Sequence, residues 1–163
     1  MSIDRRIVNV LLNFHKESSI LKYGEVPVLF SVGEITLLDR LPLSLASFAT
    51  WGMACLRVAD KSGEAVLELD EYANAILFKK VGEQILVHNT MNGLTAKVSY
   101  DILFSTWKEF AYQVREAYGF LYPEGDPHGW WELISEYPPP LLEANIKPSA
   151  DYGEAFNNLG KES

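Results

Sequence analysis

Apolar and polar residues alternate most cleanly between Thr95 and Phe104. Ala96, Val98, Tyr100, Ile102 and Phe104 fall on one side, and Lys97, Ser99 and Asp101 on the other. A period of two predicts a strand with one buried and one wet face. Three shorter apolar runs precede it, Ala65–Leu69, Ala75–Lys80 and Glu83–Asn89, parted by polar or glycine-containing breaks. Val81-Gly82 and Asn92-Gly93 read as hairpin turns, because glycine and asparagine tolerate the positive φ that tight hairpins require. These four runs predict an antiparallel meander. Upstream, Val28–Leu38 is β-branched and apolar, with Gly33 as a bulge or tight turn in its middle. Val8, Val10, Leu12 and Phe14 repeat the period of two and predict another strand, although Ile7, Val10, Leu11 and Phe14 also share a helical face.

Two segments carry the helical period instead. Leu43–Arg57, opened by Pro42, has Leu45, Phe48, Ala49, Gly52 and Leu56 at helical spacing. Gly52 and Thr50 weaken that helix, and Asp60-Lys61-Ser62-Gly63 reads as the turn beyond it. In the second, Thr106 and Glu109 fit a capping box. Trp107, Phe110, Ala111, Val114, Ala117, Tyr118 and Leu121 then line one stripe, and Gly119 is placed to end the helix. The fold class expected is α+β, an antiparallel meander of about five to six strands with two helices packed on one face. Residues 1–122 form this domain. Residues 123–163 form a proline- and aromatic-rich acidic segment packed on it: prolines and glycines interrupt it after Tyr122, and from Lys147 onward it reads as a frayed tail.

Composition sharpens this picture at three points. The chain's 163 residues, 48% hydrophobic and 22% charged, suit one ordinary hydrophobic core. The net charge of −8 is unevenly spread: residues 120–163 hold eight acids against two bases, while the rest is near balance. Such a charge disfavours nucleic acid and anionic lipid as partners, and the pairs Arg5-Arg6 and Lys79-Lys80 are too isolated to make a basic patch. Cys55 is the single cysteine, so an intramolecular disulfide is excluded. The N-terminal apolar stretch is broken by Asn9 and Asn13, unlike a signal peptide, and no run approaches a membrane span. A cytoplasmic location is expected.

Candidate chemistry is sparse. His15, His88 and His128 are far apart and in no zinc-ligand spacing, so no metal or other cofactor is expected. Cys55, between Ala54 and Leu56 on the first helix, reads as a buried inert thiol. Neither a nucleophile elbow nor a phosphate-binding loop is present. Glu68, Asp70 and Glu71 are the densest acid cluster, and a solvated strand face accounts for them. The most unusual stretch is Pro127-His128-Gly129-Trp130-Trp131-Glu132. Adjacent tryptophans diverge and do not share one core easily. One of them, with Tyr137 nearby, can form an aromatic anchor ringed by Glu124, Asp126, Glu132 and Glu136, with His128 on the same partner-binding surface; the alternative is that one tryptophan packs under the loop and the other caps the core edge. Aromatic anchors are enriched at binding hot spots, and acids steer a basic partner.

The stretch from Lys97-Val98-Ser99-Tyr100-Asp101 to Trp107-Lys108-Glu109-Phe110, a final strand feeding an amphipathic helix, is similar to that of the immunity proteins of bacterial toxin–immunity pairs. The resemblance covers the layout of residues 5–121 and rests on no invariant motif, so no residue role is carried over from it. It implies a non-enzymatic function: binding one cognate toxin domain, and blocking its active site. Two alternatives stand beside it: a homo-oligomeric structural or regulatory domain, and a small-ligand binder or enzyme with Tyr100, His88 and Asp101 lining a cavity under the sheet. The chain is expected as a monomer or a homodimer.

Overall fold

A computed structural model describes residues 25–69, 75–121 and 152–159. Its elements are β1 (Glu25–Val32), β2 (Ile35–Ser44), α1 (Leu45–Ser62), β3 (Glu64–Glu68), β4 (Ala75–Val81), β5 (Gln84–Asn89), β6 (Thr95–Ser99), α2 (Tyr100–Leu121) and α3 (Gly153–Leu159). The class is α+β, as the periodicity predicts. Strands β3 to β6 pair in sequence order as an antiparallel meander, and β1–β2 form a separate antiparallel hairpin. The strand predicted over Val8–Phe14 lies outside the described residues.

Both tight turns follow from glycine. Gly33 and Gly82 each take the first of two loop positions with φ near 60°, and the residue after each returns to negative φ. Gly33 is therefore a turn rather than a bulge. The bulges lie further along β2. Phe30 pairs with Leu38 and Ser31 with Thr36, which leaves Leu37 without a partner residue. Val28 pairs with Leu41, so Asp39 and Arg40 together face Leu29. Arg40 takes the left-handed conformation there, with φ 57°. A bulge turns a carbonyl out of the ladder, and here it is not wasted: the Leu37 carbonyl accepts from the Asn89 side-chain amide and from that of Asn92 at 3.1 Å. The Asn89 and Asn92 oxygens accept from the backbone N–H of Met91 and Leu94, at 2.8 and 3.0 Å. The β5–β6 loop is thus folded by its asparagines and clamped to the hairpin by them. Further along, Pro27 stands directly opposite Pro42. Two residues without N–H groups fit an antiparallel ladder only at a position whose amides point outward.

Helix α1 starts at the Ser44 cap, whose hydroxyl accepts from Ser47 N–H at 3.4 Å. It ends at Gly63, in left-handed conformation with φ 89°. Its last turn absorbs Asp60 to Ser62, expected to be a turn; only Gly63 breaks the helix, because it alone there adopts a positive φ without strain. Helix α2 departs further from expectation. It begins at Tyr100, directly after β6, so Thr106 and Glu109 lie inside it and form no capping box at its start. Tyr100, Leu103, Trp107, Phe110, Ala111 and Val114 are buried, a helical spacing, while Ile102 is exposed. The apparent alternation through Ile102 and Phe104 is a coincidence of two periods. Tyr100 holds the junction: its N–H bonds Glu83 O at 2.9 Å and its hydroxyl bonds Leu56 O at 2.8 Å. Gly119 does not stop the helix, which runs to Leu121.

Both long helices pack on one face of the sheet. Trp107 is at the centre of that core, completely buried, with Phe30, Phe48, Phe78 and Phe110 around it at centroid distances of 4.9 to 6.2 Å. Its indole N–H donates to Ala49 O at 3.0 Å. The other face is not wet throughout. Val66, Ala75, Leu77 and Leu86 form a second apolar cluster there, covered by Phe156 and Leu159 of α3. A helix therefore stands over residues 153–159, where the composition suggests a frayed tail.

Candidate functional site

The eight residues singled out as a partner-binding surface, Glu124, Asp126, His128, Trp130, Trp131, Glu132, Glu136 and Tyr137, all lie outside the described residues. The structure describes the helices on either side of them. The preceding helix, α2, is fixed to the first face of the sheet through Trp107, Phe110, Ala111 and Val114. The following helix, α3, is fixed to the second face through Phe156 and Leu159. The helices on either side of residues 122–151 thus pack on opposite faces of one sheet.

The second anchor is built from a short stripe. Tyr152, Ala155, Phe156 and Leu159 recur at i, i+3, i+4 and i+7, so one face of a seven-residue helix is apolar. Phe156 is 1% exposed and Leu159 6%. Lys79 adds a polar tie, its ammonium donating to Phe156 O at 2.9 Å. That carbonyl is among the last four of the helix, which have no partner within the helix, and a cation there also suits the negative end of the helix dipole. Lys79 is thus tied to a helix end, and its neighbour Lys80 is engaged too. Lys80 pairs with Asp60 at 2.7 Å and lies 5.0 Å from the centre of the Tyr100 ring. The apolar spacing from Tyr152 to Leu159 is the signal that sequence reasoning passed over.

Of the residues considered for chemistry in the main domain, Cys55, Tyr100 and His88 are engaged by the fold. Cys55 is completely buried, its thiol directed at Val66 O at 3.4 Å, and burial raises its pKa well above the usual range for a thiol. Tyr100 spends its hydroxyl on Leu56 O, His88 Nδ1 contacts Thr95 Oγ1 at 2.8 Å, and Asp101 is exposed on the first turn of α2. The structure does not bring these three to one cavity: Tyr100 belongs to the first-face core, whereas His88 pairs in register with Leu77, on the second. A cleft between the start of α1 and the end of β3, lined by Ser44, Ser47, Trp51, Leu67 and Glu68, encloses about 20 Å³, room for roughly one water molecule.

Glu68 is exposed and its strand neighbours Leu67 and Leu69 are buried, the arrangement of a solvated strand face; Asp70 and Glu71 lie outside the described residues. Among the described residues no three of His, Cys, Asp and Glu converge as metal ligands, and no helix is long and apolar enough to cross a membrane. No family model matches the chain, and no curated protein or solved structure is detectably similar to it.

Proposed function

We propose that this chain is a protein-binding inhibitor that neutralises a cognate toxin domain by covering its active site or substrate groove. The observation that carries this reading is the concentration of charge in residues 120–163, eight acids against two bases, with Trp130, Trp131 and Tyr137 set among them. Acids around an aromatic anchor accelerate encounter with a basic surface, and the buried aromatic slows dissociation. The mechanism is occlusion, with no bond made or broken.

The experiment is capture of the partner from the lysate of the native host, with the intact chain as bait and salt raised in steps to about 1 M, where the Debye length is roughly 3 Å. One basic protein, retained one to one and loosened by salt, is the expected result. With that partner in hand, Trp131→Ala with Glu132→Ala should weaken binding more than about tenfold. Unchanged affinity in the double variant removes this surface from the proposal. A bait that captures only itself, and elutes as a dimer at every concentration, replaces the inhibitor with a self-associating domain.

A further inference from the structure

We infer that Asn92-Gly93 is a self-modifying site: Asn92 deamidates through its own backbone, with water as the only co-reactant, and the turn that holds the pair sets the rate.

Sequence makes the pair reactive. Of all the asparagines in the chain, Asn92 alone precedes a glycine. A glycine has no Cβ to shield its nitrogen from the side chain before it, and its backbone turns more freely than that of any other residue. The chemistry needs no oxidant or reductant. The Gly93 nitrogen gives its proton to hydroxide and attacks Asn92 Cγ. The new N–Cγ bond closes a five-membered succinimide, and the side-chain nitrogen takes a proton from water and leaves as ammonia. Water then opens the ring at one of its two carbonyls. Opening at Cγ leaves an aspartate; opening at the backbone carbonyl leaves an isoaspartate, whose main chain runs through the side-chain carbons.

The fold sets this pair where water reaches it and holds it in a form that does not react. Asn92 and Gly93 are both exposed, on the β5–β6 loop. Each group that ring closure must free is tied. Gly93 N–H donates to Asn89 O at 2.9 Å, which keeps the proton on the nitrogen. Asn92 Oδ1 accepts from Leu94 N–H at 3.0 Å, and Asn92 Nδ2 donates to Leu37 O at 3.1 Å. Behind them Asn89, 2% exposed, links the same Leu37 carbonyl to Met91 N–H. Thr90 completes the frame: its N–H donates to Ala75 O at 3.0 Å, and its hydroxyl accepts from Ala75 N–H at 2.9 Å. Reaction therefore proceeds from a locally opened turn, with the sheet still paired. The product records the event. A carboxylate has no N–H for the Leu37 carbonyl, so conversion permanently removes one of the two side chains that clamp the loop to the hairpin.

The test follows the full chain in mildly alkaline buffer, by peptide mapping for the mass gain of an amide turned acid and by anion exchange for the added negative charge. Unfolded in urea, the chain should convert at Asn92 before any other asparagine. Folded, it should convert at the same site at least about tenfold more slowly. Asn89→Ala loosens the turn from within and should speed the folded conversion by about tenfold. Phe110→Leu weakens the buried packing of α2, away from the turn, and should leave the rate unchanged; it separates local opening from global unfolding. Equal rates in the folded and unfolded natural chain would overturn control by the turn, and so would equal rates in Asn89→Ala and Phe110→Leu. Earlier conversion at another asparagine in urea would overturn the site itself.

Discussion

At Gly52 the first helix gives up a side chain so that an indole can lie against its backbone. A Cβ placed there would come within 2.0 Å of Trp107 Cζ2, far inside van der Waals contact. Alanine is the better helix former by about 1 kcal/mol, so propensity alone makes Gly52→Ala stabilising. Overpacking of a close-packed core works the other way and costs about 1–3 kcal/mol. The indole has no room to retreat among four rings, and overpacking wins. Gly52→Ala should therefore lower the urea midpoint, and it should lower it less when introduced into a Trp107→Leu background, where the clash is gone. A neutral or raised midpoint in the single variant would show that the indole moves aside. In the sequence Gly52 only weakens a helix; its reason stands 55 residues further along, and no local pattern connects the two. Trp107 itself was legible as part of an apolar stripe, and its place at the centre of the core was not.

Among the elements, three of the four meander strands were legible to within a residue at each end, because short apolar runs bounded by turns admit few other arrangements, while the fourth, read through Phe104, ends at Ser99. Helix α2 was misread at its start, where the strand and helix periods both fit Tyr100 and only Leu103 against Ile102 tells them apart. The bulge at Leu37 was illegible, since the groups that take up its carbonyl lie in a loop some fifty residues away. That loop supplies a test. Asn89 is 2% exposed and serves two backbone groups, Leu37 O and Met91 N–H. Asn92 serves Leu37 O and Leu94 N–H near the surface, where water can replace it. Asn89→Ala should cost about 1–3 kcal/mol, since it strands buried polar groups, and Asn92→Ala about 1 kcal/mol or less. Denaturation of the two variants side by side checks the order. Equal losses would mean that the Leu37 carbonyl, not the loop, sets the energy.

For the molecule as a whole, one buried thiol writes itself into the dependence of stability on pH. Burial raises the Cys55 pKa above its ordinary value near 9. Below that value both the folded and the unfolded chain hold the proton, and the thiol contributes no slope. Above it the unfolded chain releases the proton and the folded chain keeps it, so stability falls as pH rises, by about 1.4 kcal/mol per pH unit. Urea denaturation from pH 8 to 10 should show the natural chain losing its advantage over Cys55→Ala at that rate above about pH 9. Parallel curves would mean that the thiol ionises in place. At this scale the fold class was legible from periodicity, and the acidic aromatic segment from composition. The packing of α3 was not, because Phe156 and Leu159 find their partners on strands some seventy to ninety residues earlier. The hairpin carries a consequence of a different kind. Where Pro27 faces Pro42, both outward amide positions lack hydrogen. A strand from another molecule approaching either side finds no donor at that level, so the hairpin cannot be lengthened into a shared ladder there. A ladder shared between two molecules along this pair of strands would lack a donor at that rung on both edges.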